Sequence, residues 1–280
     1  MFSRWHLTAF AVPLLATAVY ASGLEVPEQG ARSVARGGAY AAKAGNPSAV
    51  IHSPGMVSRL KGLQLWYSHN LIWAPSSFTP TESSVPSSVE FNGQTSENQT
   101  PFFPMGISLA VTHDFGLDDW VFGVSVYGPN SSGAVRYDRE LSQRYMLTKL
   151  EALLAYGGAT IAWGRQTYGF GATLQWASLP KLDYALVVDG RLKEDQDPYR
   201  SGYDMEATLQ LKDEFAPTAI LGAWWKPTPA LTLAASGRPL PTRFNGEGNV
   251  TLAEIPGTDI AEQFDVSLSQ TEASMDLVLP

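Results

Sequence analysis

From Leu63 onward the apolar residues recur with a period of two rather than about 3.6, which confines that part of the chain to β-strands. Leu63, Leu65, Tyr67, Leu71 and Trp73 alternate with Gln64, Ser68 and Asn70, with Trp66 and Ile72 as exceptions. Met105, Ile107, Leu109 and Val111 alternate with Gly106, Ser108, Ala110 and Thr112. Trp120, Phe122, Val124 and Val126 alternate with Val121, Gly123, Ser125 and Tyr127. Tyr168, Phe170, Ala172, Leu174 and Trp176 do so with Gly169, Gly171, Thr173, Gln175 and Ala177. Alternation sends the two sets to opposite faces of a strand. One face is large and apolar, the other small or polar and almost free of charge. A soluble sandwich also alternates, but its outward face carries Lys, Glu and Asp. Apolar residues toward lipid and small, polar ones toward a lumen are the signature of a transmembrane barrel.

The connections agree with that plan. Trp163 to Tyr168, His113 to Asp119 and Lys226-Pro227-Thr228-Pro229 read as tight turns. Between them lie long polar segments, 74–100, 130–143, 183–204 and 246–273. Short turns on one side and long loops on the other describe an outer-membrane barrel with its loops outside the cell. Trp66, Trp73, Trp120, Trp163, Trp176, Trp224 and Trp225 lie near strand ends or on apolar faces. They suit either the aromatic girdles of such a barrel or ordinary core packing.

The start of the chain differs. Arg4 and His6 precede an apolar run from Leu7 to Val19, followed by the cleavage-like Val19-Tyr20-Ala21. That is the layout of a secretory signal, cut after Ala21, with a buried N-terminal helix as the plainer alternative. The run falls short of the roughly 20 apolar residues of a spanning helix. The chain has no cysteine, which excludes a disulfide scaffold and a lipid anchor at this position. Residues 25–60, rich in small residues, glycine and proline, show no period of two. A segment of that kind ahead of a wide barrel is expected to fold inside the lumen as a plug.

Composition excludes other classes. A charged fraction of 16 % with 11 % aromatics argues against disorder. A formal net charge of −8 argues against nucleic acid as a partner. No Gly-x-Ser-x-Gly, His-Glu-x-x-His or phosphate loop occurs, and His52, His69 and His113 are separated singles. The chain is therefore expected not to be an enzyme and to need no cofactor or metal. A general porin, a structural barrel or a barrel enzyme, and a secreted soluble β-sandwich serving as an adhesin or binding module, remain the alternatives.

Ser22 to Glu28, Ala35-Arg36-Gly37-Gly38-Ala39-Tyr40-Ala41-Ala42, Pro47-Ser48-Ala49-Val50 and Ser53-Pro54-Gly55 form an ordered set that resembles the N-terminal hatch of the FadL/TodX family of outer-membrane transporters. Ser53 stands where the family has Asn, and Gly55 where it has Ala. Trp120 to Gly128 resembles the family's third strand, and the likeness continues through Gly158–Trp163, Tyr168–Gly171, Phe215–Pro227 and Ser236–Gly246. Ser274 to Pro280 looks like the opening of the ninth strand. The resemblance implies an all-β antiparallel transmembrane barrel of about fourteen strands with a hatch in the lumen. About eight of those strands are expected here, with the rest missing and the barrel unable to close alone. The divisions it implies are a signal at 1–21, a hatch at 22–61 and barrel strands at 62–280.

The resemblance also implies passive uptake of hydrophobic molecules, with long-chain fatty acids and aromatic hydrocarbons as equal candidates. The expected setting is the lipid of the outer membrane, with the protein as a monomer. The molecule would pass from apolar loops to a pocket in the barrel and leave sideways through a gap in the wall. In the family that gap lies at a kink in the third strand, matched here by Tyr127, Gly128 and Pro129. On the residues alone, Gly128-Pro129 either breaks the strand or ends it. Leu24 is expected to occupy the pocket until ligand displaces it. Glu28 and Arg36 are expected to pin the hatch by ion pairs, unless each is merely a solvated charge. Lys181, following the fifth strand, matches a cation that meets a fatty-acid carboxylate.

Overall fold

The computed structural model describes residues 29–80, 94–103, 106–129, 133–189, 204–254 and 270–279. The signal segment, Leu24 and Glu28 lie outside the described residues.

Before the first strand the chain makes short helical turns, α1 (Ala31–Val34), a 3-10 turn at Ala41–Lys43, α2 (Ala49–His52) and α3 (Pro54–Val57). Strands follow: β1 (Gln64–His69), then the two-residue strands β2 (Ile72–Trp73), β3 (Ser77–Phe78), β4 (Ser96–Glu97) and β5 (Phe102–Phe103). After them come β6 (Ile107–His113), β7 (Trp120–Tyr127), β8 (Gly133–Arg136), β9 (Lys149–Gly164), β10 (Tyr168–Asp189) and β11 (Asp204–Thr228). Last are β12 (Leu231–Leu240), β13 (Thr242–Glu254) and β14 (Gln270–Leu279).

Ten of these strands form one antiparallel sheet along the path β1-β6-β7-β9-β10-β11-β13-β14, with β8 beside β9 and β12 beside β11. The path makes eight wall positions, two of them filled by a pair of successive strands. Ser274 to Leu279 thus belongs to the eighth position, not to a ninth strand. Among the described residues β1 and β14 are not paired with each other, so the sheet is an open stretch of wall.

The apolar faces point outward. On β10, Tyr168, Phe170, Leu174 and Trp176 are exposed while Thr173, Gln175 and Ala177 are buried. The same holds for Leu65 and Tyr67 on β1, Ile107 and Leu109 on β6, and Val124 and Val126 on β7. A large apolar side chain left in water forgoes about 2 kcal/mol. The four on β10 alone forgo on the order of 8 kcal/mol, comparable to the whole stability of a domain. Lipid removes that loss, and a soluble sandwich is not the fold.

The strands outrun a bilayer. A membrane strand needs about 9–11 residues, whereas β10 has 22 and β11 has 25. The outward apolar row on β10 is confined to its first part, Tyr168 to Trp176. Beyond it stand the ion pairs Lys149–Asp183 at 2.7 Å and Lys181–Glu151 at 2.9 Å. Parts of the segments expected as loops are therefore strand. Residues 133–136 are β8, 183–189 extend β10, and 246–254 belong to β13. Period-two alternation fades there because neither face is held in lipid.

Turn positions shift in one case. Thr228 pairs with Leu231, so the β11–β12 turn is Pro229-Ala230, and Lys226-Pro227 is still strand. At the short-turn end Trp120 lies opposite Trp163, Phe170 opposite Trp163, and Tyr168 opposite Trp225, forming an aromatic belt. Trp66 and Trp224 do not join it. Both face inward onto the helical segment, Trp224 being only 4 % exposed.

Candidate chamber, plug and wall break

The helical segment seats against the inner faces of the wall because that face is made of small residues. Gly171 and Gly222 are register partners on β10 and β11, and α3 lies on them. A Cβ on Gly222 would lie 2.9 Å from the Gly55 nitrogen, closer than side chains pack. Val50, Met56, Val57 and Leu60 bury themselves with Ala110, Val121, Ala162 and Trp224 of the wall.

Neutral hydrogen bonds complete the seat. The Trp224 Nε1–H donates to Ser58 Oγ at 3.0 Å, and the Thr173 hydroxyl donates to the Val50 carbonyl at 2.8 Å. The Ser108 hydroxyl donates to Gln29 Oε1 at 3.0 Å, and the Ser236 hydroxyl to the His52 carbonyl at 2.6 Å. In an enclosed site these neutral pairs avoid the cost of desolvating ions. Arg36 is exposed, and among the described residues no ion pair ties it to the wall. Where the plug hands over to β1, the Asp114 carboxylate accepts the N–H groups of Gly62 at 3.0 Å and Gly116 at 3.1 Å. These two bonds, that of Gly62 the larger, hold the Asp114 carboxyl below its ordinary value.

Past the plug the inner face turns apolar. Tyr127, Leu154, Tyr156, Leu179, Leu182, Leu211 and Phe244 form one buried cluster. Tyr127 and Tyr156 stack with centroids 4.9 Å apart. Ile51 of α2 packs against this cluster and also against the plug's own core. The plug therefore forms the floor of an apolar inner region, the chamber, whose side chains are packed together and each no more than 7 % exposed. Two polar groups interrupt it: Gln175 Nε2, which donates to the Tyr127 hydroxyl at 3.1 Å, and the Arg238 guanidinium, 5.5 Å from the Tyr156 ring centroid.

The chamber borders a break in the wall. β7 runs beside β9 as far as Tyr127↔Tyr156, and β8 rejoins β9 at Gly133↔Ala152. Between these two pairs the chain has five residues, 128–132, against three, 153–155, and Gly128-Pro129 opens that excess. The strand is interrupted and resumes on the same neighbour instead of ending. On the other side the Gly128 N–H still donates to the Ile107 carbonyl at 3.0 Å, and further along the Gln99 N–H donates to the Arg136 carbonyl at 2.7 Å. Pro129 itself is buried.

Lys181 lies within the fifth wall strand, not after it. Its ammonium meets Glu151 at 2.9 Å and Asp183 at 3.4 Å. Tyr127 belongs to the cluster and Gly128 and Pro129 follow it in the chain, whereas the other members carry no local sequence signal. Leu154, Tyr156, Leu179, Leu182, Leu211 and Phe244 come from four strands that only register brings together.

No family model matches the chain, and no curated protein matches it. Solved structures do. A FadL homologue of Pseudomonas aeruginosa superposes with a TM-score of 0.66 at 14 % identity, over 91 % of this chain and 64 % of that one. The toluene transporter TbuX of Ralstonia pickettii superposes with a TM-score of 0.58 at 14 % identity and the same coverage. The fold is that of a FadL-type barrel. This chain spans just under two thirds of the length of the structures it matches.

Proposed function

We propose that the chain supplies the plug and part of the wall of an outer-membrane channel for passive uptake of hydrophobic molecules such as long-chain fatty acids or aromatic hydrocarbons. The observation that carries the reading is the apolar chamber beside an interrupted strand, in a wall whose outer face is apolar. A molecule that loses free energy by leaving water gains nothing from an aqueous pore. It gains from a path that runs from the chamber directly into lipid, and Tyr127, Gly128 and Pro129 are the proposed gate of that path. The plug, packed on the wall and touching the chamber through Ile51, blocks the direct route. A general porin fits less well, because the chamber wall is leucine and aromatic instead of charged. Export by residues 1–21 and a latch role for Leu24 and Glu28 are part of the same proposal.

The test is gene-dependent uptake of labelled oleate and of labelled toluene by intact cells. Uptake of either that vanishes with the gene supports the reading. Equal uptake with and without it, the protein being present in the outer membrane, defeats it.

A further inference from the structure

The wall has another interruption on the opposite side of β9 and β10. β11 pairs with β13 down to Lys212↔Glu247 and with β12 from Ala219↔Leu240, a pair in the same register, after which the β11–β12 ladder shifts by one residue. Between them no ladder pair joins residues 213–218 to 241–246, although all of these residues are described. The flanking β13–β14 ladder continues past the gap unbroken, and the β10–β11 ladder continues past it with register shifts between Ala177 and Leu182. It is therefore a window between the sixth and seventh wall positions and not a frayed end.

Several features mark it as built in. Unpaired backbone groups in a membrane wall are costly unless they line a cavity or find other partners. Pro217 and Pro241 sit in the two facing segments and bring no N–H to be orphaned. The Asp213 carboxylate spans the gap, accepting the Asn245 N–H at 2.8 Å and, on its own strand, the Phe215 N–H at 3.0 Å. The Thr218 hydroxyl donates to the Leu240 carbonyl at 2.7 Å. β11 also changes phase here: Leu211 and Ala216, an odd number of residues apart, both face the chamber. Phe215 between them is 67 % exposed, and Leu240 across the gap 58 %. The outside of the window is thus apolar, and its inside is the chamber containing Leu211, Ala216 and Phe244.

The two interruptions are connected by register. Tyr127 pairs with Tyr156, Tyr156 with Ala177, and Ala177 with Ala216. One rung of the sheet runs from the Gly128-Pro129 break to this window, and both open off the same apolar cluster.

We propose that this gap is a second lateral passage between the chamber and the surrounding lipid, framed by Pro217 and Pro241 and stitched by Asp213. It takes the same class of cargo, a hydrophobic chain or ring, and so rests on the transport reading above.

The chain has no cysteine, so engineered pairs report cleanly. Pro217→Cys with Arg243→Cys spans the second window, and Pro129→Cys with Leu153→Cys spans the first. Each pair is closed in cells carrying the gene with a short cleavable bis-maleimide, the untreated variant serving as its own control for folding. Labelled oleate and toluene uptake is then measured. The expected result is a partial loss on closing the second window, restored by cleaving the linker, and a complete loss when both are closed. Unchanged uptake with the second window closed, but lost uptake with the first closed, overturns the second passage and leaves the transport reading standing. Gene-dependent uptake that survives closure of both overturns this inference and the lateral route together. As an independent variant, Asp213→Ala removes the stitch and is expected to raise uptake; a fall at equal protein level counts against the passage.

Discussion

Gly55 of the plug and Gly222 of the wall meet backbone to backbone: a methyl group on Gly55 would lie 2.8 Å from the Gly222 carbonyl oxygen. The partner of Gly222 across the ladder is Gly171, where an added Cβ would run into the Pro54 carbonyl. The plug is seated by the absence of side chains as much as by their presence. Gly222→Val is expected to lift α3 from the wall at a cost of about 1–3 kcal/mol, as overpacking does. The readout is permeability of intact cells to small polar solutes, which should rise. Unchanged permeability with normal barrel assembly would show that this contact does not hold the plug.

The wall break makes a separate prediction. Gly128→Val with Pro129→Val restores an N–H donor and strand propensity where β7 now parts from its neighbours. Uptake of oleate and toluene is expected to fall together, because the double change closes a shared route and not a ligand-specific contact. Uptake that stays at the original level removes Gly128 and Pro129 from the path.

The outward apolar rows were legible in the sequence because lipid imposes a period of two on every wall strand. Trp120 to Val126 and Tyr168 to Trp176 follow that rule residue by residue. Outside the hydrocarbon the rule lapses, so 183–189 and 246–254 read as loop although they are strand. Trp224 stayed open between girdle and core for a related reason. A tryptophan at a strand end suits a girdle by composition, whereas here it turns inward to donate to Ser58. The chamber was hidden because it depends on register: Leu154, Leu182, Leu211 and Phe244 sit on four strands with nothing in local pattern to join them. The ladder gap at Pro217 and Pro241 was likewise invisible, since one proline per strand reads only as tolerance at an edge.

Inside the chamber the Tyr127–Tyr156 stack, with rings 12° from parallel, forms a flat apolar wall. Tyr156→Ala removes one ring and the support of the other. An aromatic pair contributes about 0.5–1.5 kcal/mol beyond its buried area, so ligand affinity is expected to weaken by up to roughly tenfold. Displacement of a fluorescent fatty acid from detergent-solubilised protein measures it. An unaltered affinity would place the ligand elsewhere.

Acid sensitivity has one identified source at the turn between β6 and β7. The Asp114 carboxyl is held below its ordinary value of 3.8 by the N–H groups of Gly62 and Gly116. A group whose pKa is depressed by folding stabilises the fold above its unfolded value, and that contribution is lost as pH falls through the folded one. Asp114→Asn is therefore expected to flatten the acid limb of barrel stability, followed by heat-dependent gel mobility, and to change little near neutrality. Because the carboxylate sits in a surface turn, the effect should be small and weakened by salt.

The two cations near the chamber separate the candidate cargoes. Lys181 already meets Glu151 and Asp183, so a fatty-acid carboxylate would have to displace one of them. Arg238 lies over Tyr156, on the side of β12 that also carries Ser236, whose hydroxyl reaches the plug. That places positive charge at the chamber wall, where a carboxylate leaving water gains most from it. Arg238→Leu is expected to reduce oleate uptake and spare toluene, whereas Lys181→Met should leave both as they were. The reverse pattern, oleate lost with Lys181→Met and kept with Arg238→Leu, would move the carboxylate site to the outer part of β10. Loss of both cargoes with Arg238→Leu would instead mean that the guanidinium holds Tyr156 in place rather than selecting an anion.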